Sequence, residues 1–379
     1  MSHSVNLQAP FAPRTLRESM DALVADLEFL GVADQSGDCY GDFSLDATSS
    51  FLRRFEREVA DTLGKPDAVF MPSGVMAQQV ALCIHSKGVG GSFVCHSSSH
   101  ITVHEKDSWD HLLKMKLEEV DTKEPLSLSD VTSRLDSNKD VSTVLLEHPH
   151  RELGGSMTDW SEIEAMSKLC KERGVAFHLD GARIWEVSGA FGGRHSLSDI
   201  AAKFDSVYCS FYKGIGGMTG AVLLGNDDFC AEARVWLRRF GGNLYSMAPH
   251  IVSCWAGFRR QVSAPTAMSF TEKADKMKTV AAKLLADEEV GRLLEFRVQP
   301  EHCFAQVILL CSKAKAEAAR DQVAEQTGVT LFSRVRFAEW EGDEGRCGFE
   351  WNIGNLNGGQ ADEVFVDSWR AWAKAVASY

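Results

Sequence analysis

Apolar residues recur at helical spacing from Leu16 to Leu30 and again from Phe51 to Leu63, the second run opened by Ser49 or Ser50 as a cap and closed by Gly64 and Pro66. Between them, Gly31 to Ser49 reads as a polar loop holding Tyr40, Gly41 and Asp42, and the residues up to about 14, with Pro10 and Pro13, read as an irregular arm. Ala68 to Met71 is a short apolar strand, followed by Pro72-Ser73-Gly74 and a helical run, Val75 to His85. Strands Ser92–His96, Ser142–Glu147 and Val175–Leu179 then alternate with helical signals such as Trp160–Arg173, which Gly174 ends. Such alternation predicts an α/β sheet with mainly parallel strands. After a helix at Ala231–Phe240, broken by Gly241-Gly242, the pattern changes beyond about residue 260. There a long helix (Thr271–Ala286), strands around Phe304–Leu310 and Val329–Phe332 with a helix between them, strand Cys347–Ile353 and a last helix, Gln360–Ala377, predict a smaller α+β region. The expected division is an N-terminal arm and helix (1–48), a large α/β domain (49–260) and a small C-terminal α+β domain (261–379).

The segment Ser206 to Gly225 interrupts this regularity in an informative way. A strand-like run ending in Ser210 and Phe211 delivers Lys213 to a turn of small residues, Gly214, Gly216, Gly217 and Gly220, and a second run, Ala221 to Leu224, leaves it. An ammonium flanked by apolar strands costs desolvation energy unless it is paired or its charge is consumed, and burial lowers its pKa. A Schiff base to a carbonyl cofactor consumes the charge, and the glycines leave room for a planar ring. The alternative is a turn lysine with its ammonium in water.

Composition narrows the function classes. The chain has 379 residues, 44% of them hydrophobic, and a net charge of −13, which disfavours nucleic acid and anionic membrane surfaces and favours small-molecule ligands. Ten cysteines without a CxxC pair read as reduced thiols rather than a disulfide framework or zinc ribbon. The N-terminal residues carry no apolar core and no run approaches bilayer length, so a cytoplasmic location without membrane insertion is the expectation.

Several other segments carry candidate chemistry. The strand ending at Leu179 delivers Asp180, and ligands of open α/β sheets gather at the carboxyl ends of strands. Arg183, three residues on, suits either a ligand or a local salt bridge to Asp180. The strand, Ser73-Gly74 turn and helix start from Val75 form a natural anion site, because first-turn N–H groups and the positive dipole end face it. Another strand terminus supplies Glu147-His148-Pro149-His150. His96, His100 and His104 are spaced as on one helix face and invite a zinc reading, but Phe93 to Cys95 reads as strand and nothing completes a ligand set, so no metal is expected.

Taken together, five ordered motifs resemble those of the low-specificity L-threonine aldolases, in the aromatic amino acid β-eliminating lyase group of fold-type I pyridoxal-phosphate enzymes. They are FMPSGVMAQQVAL (Phe70–Leu82), SHI with Glu105 (Ser99–Ile101), LEHPHRELGG (Leu146–Gly155), HLDGAR (His178–Arg183) and SFYKGIGGMTGAVLLG (Ser210–Gly225). The resemblance implies a large mainly parallel α/β domain with a smaller C-terminal domain, pyridoxal 5′-phosphate as cofactor, and an amino acid substrate cleaved to glycine and an aldehyde. By the same resemblance Lys213 carries the cofactor, Asp180 pairs with its ring nitrogen, His100 stacks on the ring, and Ser73, Gly74 and Val75 meet the phosphate. Ser210 belongs to the cofactor's surroundings, Arg183 takes the substrate carboxylate, and His150 or His100 serves as general base. A homodimer or homotetramer is implied as well.

The departures point to an altered substrate. Val75 replaces the family's phosphate threonine, Tyr212 replaces the serine before the lysine, and Asn243 to Ser246 stand where a charged contact is usual. The first 20 residues hold no counterpart of the family's carboxylate-binding serine stretch. In the late strand Glu350 and Trp351 occur where a second carboxylate-binding arginine is expected, and a glutamate there would repel a carboxylate. A β-hydroxy-α-amino acid other than simple threonine, with a bulkier or amine-bearing side chain, fits this better. β-Elimination or transamination on a modified amino acid, and a catalytically silent cofactor-binding protein, are the competing readings.

Overall fold

In the computed structural model, which describes residues 5–35, 50–339 and 342–379, the chain opens with a two-residue strand, β1 (Val5–Asn6), and the helix Leu16–Leu30. Tyr40, Gly41, Asp42 and Ser49 lie outside the described residues. In helix Phe51–Leu63, Ser50 Oγ accepts the Arg53 N–H at 3.3 Å, Phe51, Phe55, Val59 and Leu63 are buried, and Gly64 ends the helix at φ 62°.

Seven strands follow: β2 (Asp67–Met71), β3 (Ser92–His96), β4 (Lys116–Val120), β5 (Val141–Glu147), β6 (Ala176–Gly181), β7 (Ser206–Ser210) and β8 (Ala221–Gly225). They form one sheet in the order β2-β8-β7-β6-β5-β3-β4. Neighbours from β7 to β4 pair in parallel, and β8 alone runs antiparallel, between β7 and β2. The carboxyl ends of β2, β3, β5, β6 and β7 therefore share one edge. The sheet and its helices belong to a unit made of Arg14–Trp185 and Phe191–Ala264.

Helix Gly74–His85 crosses this sheet and packs on β7, β8 and helix Asp227–Arg239. Because it is covered on several sides, Ala77, Val80, Ala81, Leu82 and Cys83 are all buried, and so are the polar Gln78 and Gln79. Helix Asp227–Arg239 begins four residues before the position the apolar spacing indicated. Asn226 Oδ1 accepts the Phe229 N–H at 2.8 Å, and Asp227 and Asp228 suit the positive end of the helix. Strand β4 escaped the sequence reading because it is an edge strand of sequence KLEEV in which only Val120 is buried. Helices Leu128–Ser137 and Ala248–Phe258 were also missed.

The described remainder, up to Pro13, Glu186–Ala190 and Pro265–Tyr379, forms a second unit. Strands β9 (Leu294–Phe296), β10 (Phe304–Leu309), β11 (Val329–Thr330) and β12 (Cys347–Asn352) arise here, with helices Phe270–Ala286, Lys313–Thr327 and Asp362–Ser378. β12, β10 and β9 make a three-stranded antiparallel sheet. The N-terminal arm is not irregular throughout, since β1 pairs in parallel with β11. Phe349, Trp351 and Trp372 pack around Trp369 in this unit's buried core, Phe349 stacked on it and Trp372 edge-on.

Candidate active site

The shared carboxyl edge gathers the titratable groups. His178 and Asp180 stand two residues apart in β6, so their side chains leave the same face of the strand. Both meet Gln78 of the crossing helix: Gln78 Nε2 donates to Asp180 Oδ2 at 2.5 Å, and Gln78 Oε1 lies 2.7 Å from His178 Nε2. His178 Nδ1 is 2.7 Å from Ser206 Oγ, which is 2.7 Å from His85 Nε2. The other Asp180 oxygen accepts the Ala182 N–H at 3.1 Å. Burial lowers the His178 pKa to about 3 and the His85 pKa to about 4, so both rings are neutral near pH 7. Asp180 is pushed up to about 7 by its own burial and by Glu147, its register neighbour on β5, against the opposing pull of His100 and Lys213.

On the other side of Asp180 the register partner is Tyr208 of β7. Its hydroxyl lies beneath the start of the crossing helix, where a Cβ added at Gly74 would collide with it. Ser73 Oγ caps that helix through the Met76 N–H at 3.2 Å. The first-turn N–H groups of Gly74 and Val75 have no partner inside the helix, and Val75 is 38% exposed. Ser73, Gly74 and Val75 thus lie at the carboxyl end of β2, on the edge that carries Asp180.

Lys213 sits in the connection from β7 to β8, a hairpin-like turn rather than a strand-to-helix crossover. Phe211 N donates to Gly220 O at 3.1 Å, and Gly217 N turns back to Phe211 O at 2.7 Å. Gly217 has no room for a side chain, since a Cβ would stand 2.8 Å from the Phe211 carbonyl oxygen. At Gly220, φ is 97° and the Phe70 ring would be 2.7 Å away. The Lys213 ammonium is 5.9 Å from the centre of the Tyr212 ring, and Tyr212 itself is 45% exposed. Ser210, the last residue of β7, is buried.

A wall of histidines completes the edge. His100 Nδ1 lies 3.0 Å from Glu105 Oε1, while its backbone N–H donates to Glu147 Oε2 at 2.7 Å. Burial opposes a charge on His100, but the Glu105 hydrogen bond and the nearby Asp180 outweigh it and raise its pKa. Glu105 is fixed in turn by Gln79 Nε2 at 3.3 Å and Ser108 Oγ at 3.4 Å. His150 is buried, with Nε2 3.0 Å from Ser98 Oγ. Ser98 Oγ is 2.9 Å from His96 Nδ1, and His96 Nε2 is 2.9 Å from the Thr122 carbonyl oxygen. That carbonyl only accepts, so His96 carries its proton on Nε2 and accepts at Nδ1, where the Ser98 backbone N–H lies at 3.0 Å alongside the Ser98 hydroxyl. Farther out, Arg151 and His104 both bind Glu152 at 2.7 Å.

Among the sequence candidates, Asp180, Lys213 and His100 come together closely enough to influence one another's charge. Arg183 follows β6 in a half-buried position. The three evenly spaced histidines do not converge, because His96 ends β3 facing Thr122 while His100 opens and His104 caps the short helix beyond it. Among the described residues no group of three potential ligands is placed to hold a metal ion. Glu350, in the second unit, has its Oε2 held by Arg336 at 2.9 Å. Gln78, Ser98, Ser206 and His85 were not singled out by sequence. The one available signal was the period-two spacing of His178 and Asp180, which places an otherwise unremarked histidine beside the acid.

Residues 33–338 match the beta-eliminating lyase family. A probable low-specificity L-threonine aldolase of Arabidopsis thaliana is 32% identical over 200 residues, 50% of this chain and 56% of that protein. The chain spans about half the length of the curated relatives it matches. A solved structure of a putative L-allo-threonine aldolase from Listeria monocytogenes superposes with a TM-score of 0.83 at 31% identity, covering 98% of this chain and 96% of that one. Serine palmitoyltransferase of Sphingomonas wittichii shares the fold alone, with a TM-score of 0.67 at 14% identity over 99% of this chain and 88% of its own.

Proposed function

The chain belongs to the beta-eliminating lyase family, and from that membership we propose that it is a pyridoxal-phosphate-dependent carbon–carbon lyase that splits a β-hydroxy-α-amino acid other than simple threonine into glycine and an aldehyde. Its fold is that of the fold-type I pyridoxal-phosphate enzymes. The observation that carries the proposal is the convergence of Lys213, Asp180 and His100 at one sheet edge, beside a helix start that Gly74 keeps open.

The residues present fit this cofactor. A buried carboxylate whose oxygens already accept two hydrogen bonds, from Gln78 and Ala182, suits a cationic ring nitrogen. Ser73, Gly74 and Val75 would hold the phosphate at the helix start. Lys213 would carry the cofactor covalently, His100 would cover its ring, and Ser210 would line its surroundings. When bound, the cofactor supplies an electron sink for cleavage of the Cα–Cβ bond. Arg183 would hold the substrate carboxylate through its planar guanidinium. His150 would take the proton from the β-hydroxyl oxygen through Nδ1, in the tautomer whose Nε2 donates to Ser98. Tyr212, exposed beside Lys213, is the bulkier neighbour that favours a substrate unlike threonine. A homodimer or homotetramer and a cytoplasmic location complete the proposal; no helix among the described residues is long and apolar enough to cross a membrane.

Incubation of the purified protein with a panel of β-hydroxy-α-amino acids tests the reaction. The expected products are glycine and an aldehyde, and ammonia with a 2-oxo acid would assign elimination instead. The cofactor's visible absorbance band should be present and should disappear in Lys213→Ala. A protein that shows no such band when supplied with pyridoxal phosphate would sink the proposal.

A further inference from the structure

Beneath Asp180 runs a file of polar groups that no step above uses: buried Gln78, His178 and Ser206, and half-buried His85. Their contacts are 2.5 to 2.7 Å. They come from three elements: the middle and the end of the crossing helix, β6, and the first residue of β7. Buried polar groups are costly unless fully paired, so a file of this length calls for a physical account.

Proton counting gives the file a direction. If Gln78 donates its amide N–H to Asp180, its carbonyl oxygen faces His178 and requires a proton on His178 Nε2. Neutral His178 then accepts at Nδ1 from the Ser206 hydroxyl, and Ser206 accepts from His85 Nε2–H. Every donor points toward the carboxylate. The opposite state reverses each member: a protonated Asp180 donates to the Gln78 oxygen, and His85 Nε2 becomes an acceptor. The two states differ by the proton on Asp180, and aligned hydrogen bonds reinforce one another. We infer that Gln78, His178 and Ser206 are positioning residues of a one-way hydrogen-bond relay, ending at His85, that holds Asp180 as a carboxylate and thereby keeps a bound pyridine nitrogen protonated.

This inference rests on the pyridoxal-phosphate reading of the site. The groups bearing on Asp180 from the surrounding elements are Glu147 of β5, Tyr208 of β7, His100 and Lys213. Glu147 opposes ionisation, and His100 and Lys213 favour it. The relay adds neutral donors to the favouring side, where further charge would have to be buried. At its far end His85 stacks on Phe229 with ring centres 5.1 Å apart and feels Asp205.

The test uses pyridoxal phosphate labelled with ¹⁵N in the ring, bound to the full-length protein at pH 7 to 8. In the wild type the ring nitrogen should show the chemical shift of the protonated form. Gln78→Leu removes the donor to Asp180 and should move the shift toward the unprotonated form, with cofactor affinity reduced about ten- to hundredfold, the range of a hydrogen bond to a charged group. Ser206→Ala leaves Gln78 and Asp180 in place and should move the shift the same way by less, so it carries the test if Gln78→Leu does not fold. A shift in Gln78→Leu alone keeps Gln78 as a positioning residue and overturns the extension through Ser206. Wild-type shift and affinity in the folded variants overturn the relay while leaving the cofactor reading intact. A wild type that binds no pyridoxal phosphate overturns both.

Discussion

The floor and the wall of the candidate site are built from similar parts arranged to opposite effect. Under Asp180, an amide, an imidazole, a hydroxyl and a second imidazole can all donate toward a carboxylate. Behind His150, a hydroxyl and an imidazole lead to the fixed carbonyl of Thr122, which can only accept. The floor therefore stabilises negative charge, whereas the wall orients an imidazole. Their surroundings differ too. The floor is sealed by the crossing helix, while the wall grades outward into His104, Arg151 and Glu152, which keep partial access to solvent. The difference teaches that two uses of histidine are told apart by what lies at the far end of the hydrogen-bond file, not by the residue itself.

The contrast is broken most forcefully at the floor. Asp180→Asn keeps volume and removes charge, and kcat in the proposed lyase reaction should fall by about 10²- to 10³-fold, the range found for a lost electrostatic contact to developing charge. At the wall, His150→Phe should cost about 10²-fold in kcat, as expected for loss of a general base, with pyridoxal-phosphate affinity unchanged in an equilibrium titration. Equal losses of affinity and turnover in that variant would erase the distinction between floor and wall.

A third change probes the close contact between the crossing helix and β7. Gly74→Ala drives a methyl group into the Tyr208 hydroxyl and should destabilise the protein by about 1 to 3 kcal/mol in urea unfolding, the cost of overpacking. Tyr208→Phe in the same chain should recover much of it. An alanine tolerated without loss would show that the helix start is not pinned by the sheet.

The smallest effect sharpens the comparison by pH. His85 has a folded pKa lowered by burial to about 4, from an ordinary value of 6.5, so the unfolded chain binds more protons across that window. Its contribution is therefore destabilising as pH falls from 6.5 toward about 4, and is absent above 6.5. Thermal midpoints measured from pH 7 to 4 should fall less steeply for His85→Gln than for the wild type. Asp180, raised to about 7, pulls the other way between its ordinary 3.8 and 7; glutamine at 85 keeps an amide N–H that can donate to Ser206, so the relay to Asp180 is retained in the comparison.

Most of the large sheet was legible because its strands are continuous apolar runs between glycines and caps, and Lys213 and Asp180 could be placed at strand ends from that pattern, whereas His100 entered only through the family resemblance. What escaped has physical reasons. β4 carries one buried residue and so leaves almost no hydrophobic signal. Gln78 lies in a helix covered on several sides, where a polar residue looks like a surface position until the acid 102 residues away arrives beside it. Glu350 read as a bare charge because its neutralising partner, Arg336, comes from a segment without regular structure, 14 residues earlier. Pairings across the fold are invisible to periodicity, and these residues act only through such pairings.

The one antiparallel strand of the seven-stranded sheet carries a consequence for how that unit assembles. Since Lys213 lies between β7 and β8, whose register begins at Ser210 against Ala221, its turn closes through local contacts that a chain can find quickly. The acid's setting is of the other kind: Gln78 must cross to β6, and β6 must first pair with β5 and β7. A partly folded chain can thus own its lysine while lacking the grip on Asp180, so competence to hold a charged ring arrives only with the slowest, most long-range part of folding.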